Sequence, residues 1–142
     1  MENENSLVEN IKSTETESQT IATNSNINAY FTESRLTRDK MYSQMLESYQ
    51  KILESSNVAE MQKEIASQEI SNINNKKNAI MISENLIKNK GIEDVIIFIN
   101  DKSISVIIKA SNLTEEQIAQ VQNIIARELN AEIDNIHIST KD

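Results

Sequence analysis

Lys90-Gly91-Ile92-Glu93-Asp94-Val95-Ile96-Ile97-Phe98-Ile99 is the stretch that decides the fold. Gly91 is the only glycine among 142 residues, and there is no proline. A helix that must end and turn at once into a strand favours a C′ residue in the left-handed region, which glycine visits without a Cβ clash. Gly91 is therefore read as a structural hinge. Before it lies a helical pattern, and after it the apolar period switches to two.

Downstream of the hinge, strand one is expected over 93–100, with Val95, Ile97 and Ile99 on one face and Ile96 and Phe98 on the other. Asn100-Asp101-Lys102 is the turn, because Asn and Asp tolerate the positive φ that short hairpins need. Strand two is expected over 103–110, with Ile104, Val106 and Ile108 on one face and Ile107 on the other. Thr114-Glu115-Glu116-Gln117 is a capping box that starts a helix. Ile118, Val121, Ile125 and Leu129 form its apolar stripe, and a last strand is expected over 133–139.

Upstream, Ala66, Ile73, Ile80 and Ile87 repeat every seven residues on a helix expected over 58–90. A rod of that length spans about 48 Å, more than a small head covers. Tyr42, Met45, Tyr49 and Ile52 mark the stripe of an earlier helix, about 29–55, and Ser55-Ser56-Asn57 offers the break between the two. Arg35, Arg38 and Lys40 read as a solvated face of that helix. Residues 1–28 are polar, with apolar residues at no regular period, and are expected to be a disordered leader or linker. The organisation expected is thus a leader (1–28), a helical extension (29–90) and an α+β head (80–142) in the order helix–strand–strand–helix–strand, with a three-stranded sheet.

Composition narrows the function classes. The net charge is −8, and the acidity is concentrated in residues 91–142, which carry nine acids and four bases. That surface repels nucleic acid. A KH-like RNA-binding module, the alternative with this element order, also needs a GXXG loop, and the single glycine excludes one. There is no cysteine and one histidine, His137, so a zinc site would need carboxylates alone beside it. The acidic pairs Glu93-Asp94 and Glu115-Glu116 are accounted for by strand entry and helix capping. The reading is a protein without catalytic, cofactor or metal residues. No apolar run approaches the roughly 20 residues of a membrane helix, and no signal peptide is visible, so this chain is expected to be soluble.

A sheet covered on one face leaves Ile96, Phe98 and Ile107 on the other, with Ile133 beside them. Either the long helix or the linker folds over this patch, or another subunit does. These three residues, with Tyr42, Met45, Tyr49 and Ile52, are the candidate interface.

Several separated motifs carry a resemblance. They are Leu86-Ile87-Lys88-Asn89-Lys90-Gly91-Ile92-Glu93-Asp94-Val95, Ile99-Asn100-Asp101, Val106-Ile107-Ile108-Lys109-Ala110, Leu113-Thr114 and Asn135-Ile136-His137-Ile138. Over roughly residues 30–139, including Tyr30-Phe31, the chain resembles the stage III sporulation protein AH family, whose ring-building motif is related to secretion-system inner-membrane ring proteins. The resemblance implies a non-enzymatic assembly protein of endospore-forming bacteria. It implies a mother-cell membrane anchor and a domain in the intermembrane space facing the forespore. It also implies stage II sporulation protein Q as partner and like subunits in a ring-like channel. The chain departs from the family in showing no membrane helix, and the expectation is an anchor ahead of the leader.

Overall fold

In the computed structural model, helix α1 spans Glu2–Glu54 and helix α2 Glu60–Lys88. Strands β1 (Val95–Asn100) and β2 (Ser103–Lys109), helix α3 (Glu115–Glu128), a 3₁₀ turn (Ile133–Asn135) and strand β3 (Ile136–Lys141) follow. Backbone is described from Glu2 onward and side chains from Asn26 onward.

The sheet order is β1-β2-β3, so β2 is central. β1 and β2 pair antiparallel, with Ile97 opposite Val106, and β2 pairs parallel with β3, with Val106 opposite Ile138. Asp101, at the start of the two-residue loop, takes φ 57°, which an aspartate tolerates and a tight hairpin requires. Gly91 has φ +88°, the conformation expected of it. The N–H of Gly91 donates to the carbonyl of Lys88 at 3.0 Å, closing a turn just past the end of α2 before the chain enters β1. Thr114 accepts from the Gln117 N–H while the Gln117 side chain accepts from the Thr114 N–H, so the capping box forms as read.

One face of the sheet carries the main core. Val95, Ile97, Val106 and Ile108 are fully buried there beneath Ile73, Ile80 and Ile87 of α2 and Val121, Ile124 and Ile125 of α3. The seven-residue repeat of α2 is thus its buried stripe, and Ala66 continues it at 1 % exposed. The first half of α2 projects past the head. Met61 and Ile65 are largely exposed there, consistent with a rod longer than the head can cover.

Two expectations change. The last strand starts at Ile136, because residues 133–135 form a 3₁₀ turn; Ile133 is consequently exposed and does not join the second sheet face. The leader does not end at residue 28, since Ile27 is buried and Asn28 accepts from Lys109 Nζ at 2.7 Å. Helical backbone begins at Glu2, with no glycine or proline to interrupt it, and the leader's side chains before Asn26 lie outside the described residues. Of the alternatives left open for the second face of the sheet, cover by the chain's own linker and helical extension is the one found. Ile27 and Phe31 of α1 pack on Ile96, with Tyr30, Phe98 and Ile107 around them, giving the sheet a helix on each side.

Candidate assembly surfaces

α1 meets the head in two registers. Its residues Ile27 and Phe31 lie on the second sheet face, while Tyr42, Leu46 and Tyr49 pack into the main core beside α2. Between them the helix passes the outer edge of β1, and there it presents Arg35 and Arg38. Tyr30 is held against Phe31 edge to face, centroids 5.5 Å apart, with Lys141 Nζ of β3 3.9 Å above its ring. Charge–π attraction and apolar burial therefore seat this part of α1 across the sheet.

The Arg35–Arg38 segment overturns the solvated-face reading for both residues. Arg38 is 8 % exposed and Arg35 is half-buried, whereas Lys40 is exposed. Arg38 Nη1 donates to Glu84 Oε2 at 3.1 Å and to the Ile97 carbonyl at 2.9 Å. Glu84 Oε2 in turn accepts from the Ile97 N–H at 3.2 Å. Arg35 Nη2 donates to Asp94 and, at 3.1 Å, to the Val95 carbonyl. Lys88 Nζ stands 3.4 Å from the same Asp94 oxygen.

Burial pushes the Asp94 carboxyl up. The hydrogen bonds from Arg35 and the Val95 N–H, with the charges of Arg35 and Lys88, outweigh that and hold it below the usual carboxylate range. Burial raises the Tyr42 phenol, against the lowering charge of Arg38.

The seven candidate interface residues separate accordingly. Ile96 is fully buried under α1 and Tyr42 is a core residue, so neither is a surface of the folded chain. Phe98 and Ile107 are half-buried in the same α1-covered cluster. Tyr49 and Ile52 are half-buried on the hairpin, and Met45 is exposed. The α1–α2 hairpin also exposes the apolar side chains of Met41, Leu53, Met61 and Ile65. Leu46, rather than its neighbour Met45 of the sequence stripe, packs half-buried against the core.

An open groove of about 600 Å³ lies between α2, the β1–β2 turn and the α3–β3 connection; Lys76, Asp101, Lys102 and Glu128 contribute to it. Among the described residues no group of three His, Asp or Glu side chains is placed to hold a metal ion. His137 stands exposed on β3. Among the described residues no helix is long and apolar enough to cross a membrane.

A small α+β head on a projecting helical hairpin, covered on both sheet faces and carrying an apolar hairpin surface, is the class these observations define. The model of the SpoIIIAH-like protein family matches residues 1–138, and the chain belongs to that family. A chain of a solved structure described as the SpoIIQ-SpoIIIAH pore forming complex has the same fold, with a TM-score of 0.67 at 19 % identity. That match covers 78 % of this chain and 94 % of the other. No curated protein matched by sequence.

Proposed function

We propose that this chain is a non-enzymatic assembly protein that builds part of a channel complex between mother cell and forespore. It does so by binding stage II sporulation protein Q and by self-association into a ring. The observation that carries the reading is the family match over residues 1–138. The fold likeness to a chain of a complex described as pore forming agrees with it. The role places the head in the intermembrane space, tethered to the mother-cell membrane.

The physical features fit contact with other chains. The hairpin exposes Met41, Met45, Leu53, Met61 and Ile65, and methionine-rich apolar surface adapts to partners. We assign protein Q to this hairpin, with Met45, Tyr49 and Ile52 as contacts. Like subunits then meet through the head, and a head-to-tail contact that closes by rotation gives a ring. Capture of the chain on an immobilised soluble domain of protein Q tests the reading, with retention expected at tens of micromolar. Loss of the complex at that concentration would overturn it.

A further inference from the structure

All side-chain sulfur in this chain is thioether, because the sequence holds five methionines and no cysteine. Methionine ordinarily fills irregular gaps in a core. Every methionine among the described residues instead stands at the surface, Met41 47 % exposed, Met45 39 %, Met61 73 % and Met81 56 %. None of them belongs to either apolar cluster, where isoleucine predominates. The chain neighbours that turn inward are Tyr42 and Ile80, both buried, and the half-buried Leu46.

Oxidation of sulfur follows its nucleophilicity and its exposure. With no thiolate to compete, these thioethers are the groups most open to hydrogen peroxide. The sulfur attacks one peroxide oxygen and the O–O bond breaks. Sulfur gives up two electrons and keeps that oxygen as a sulfoxide. The other oxygen leaves as hydroxide, takes the proton from the first and becomes water. The product is polar, and methionine sulfoxide reductases reverse it. Since the fold buries none of these side chains, the cost of that polarity falls on a partner that would cover them rather than on the core.

We propose that Met41, Met45, Met61 and Met81 are a peroxide-reactive modification site of the folded chain, and that the sulfoxide at Met45 weakens docking on the hairpin. The effect on docking rests on the assignment of protein Q to the hairpin. The modification itself does not.

The test treats the native chain with hydrogen peroxide, removes the oxidant, and then measures mass by site, urea unfolding and capture on the immobilised soluble domain of protein Q. Each of Met41, Met45, Met61 and Met81 should gain one oxygen while the chain keeps a cooperative unfolding transition. Capture should weaken on the order of tenfold, and treatment with a methionine sulfoxide reductase should restore it. Whatever its own affinity, Met45→Leu carries no sulfur at that position, so peroxide should change its capture by less than about twofold. An oxidised, folded chain captured as tightly as the untreated one would overturn the proposal. So would loss of the cooperative transition on oxidation, or an equal peroxide effect on Met45→Leu. If the untreated chain is not captured at all, the assignment of protein Q falls and takes the docking effect with it. Mass and unfolding then decide the modification site alone.

Discussion

Gly91 shows how one backbone angle can be read from residue type alone. Its φ of +88° is a conformation L side chains rarely adopt, while an added Cβ would meet no atom within 4 Å. Strain rather than crowding therefore sets the cost of substitution. Gly91→Val should destabilise by about 1–3 kcal/mol in urea unfolding, and Gly91→Asn by clearly less. Equal losses would show that space, not φ, governs the site. Arg38 is the opposite case. A charge on an amphipathic helix ordinarily reads as solvated, and nothing in the sequence says that Glu84, 46 residues away, will meet it. Removing the guanidinium alone, as in Arg38→Ala, strands Glu84 beneath α1 and should cost about 3–5 kcal/mol. A loss below about 1 kcal/mol by denaturant titration would mean the pair is wetter than its geometry implies.

Asp94 adds a pH dependence at the same scale. Its folded carboxyl is held below the usual range, net of burial, by Arg35, the Val95 N–H and Lys88. A depressed folded value contributes stability above the unfolded value, near pH 4, and that contribution is lost as pH falls through the folded value. Asp94→Asn should consequently flatten the acid limb of the stability profile while lowering the neutral-pH plateau. An unchanged acid slope would remove Asp94 from the account.

At the scale of elements, α2 divides into two halves of different environment. Ile80 is 2 % exposed beneath the sheet, whereas Ile65 is 55 % exposed on the projecting hairpin. Ile80→Ala should cost about 2–5 kcal/mol and Ile65→Ala about 0.5 kcal/mol or less, read as denaturation midpoints. Comparable costs would mean that the hairpin is packed more tightly than its exposure indicates. The seven-residue repeat made α2 legible, because Ala66, Ile73, Ile80 and Ile87 mark its buried stripe, although Ser83 and Glu84 are buried beside it without an apolar signal. α1 was expected from about residue 29, but its packing face was legible only from Tyr42 onward. Its earlier half seats on the head through Ile27, Phe31, Arg35 and Arg38. That mixture of two apolar and two charged residues does not register as an apolar stripe. The strands and the capping box were readable because period and local hydrogen bonding act over a few residues. What covers the second sheet face was left open, because that contact joins residues about 65 positions apart, Phe31 and Ile96 among them.

For the whole molecule, the core and the proposed docking surface use neighbouring positions of one helix, and substitutions separate them. Tyr42→Ala, at a core position 5 % exposed, should destabilise by about 3–5 kcal/mol. Met45→Glu should leave unfolding within about 0.5 kcal/mol of native while weakening capture by protein Q. A Met45→Glu chain that binds as well as the native one would move the contact off this face of the hairpin. The candidate residues read from sequence mixed the two roles, because an amphipathic stripe reports which side chains are apolar and not which of them its own fold will cover.

Sedimentation of the chain mixed with the soluble domain of protein Q, over a concentration series, tests assembly most directly. A species heavier than either component is expected, growing with concentration and diminished by Met45→Glu. Two boundaries that sediment independently at every concentration would contradict it.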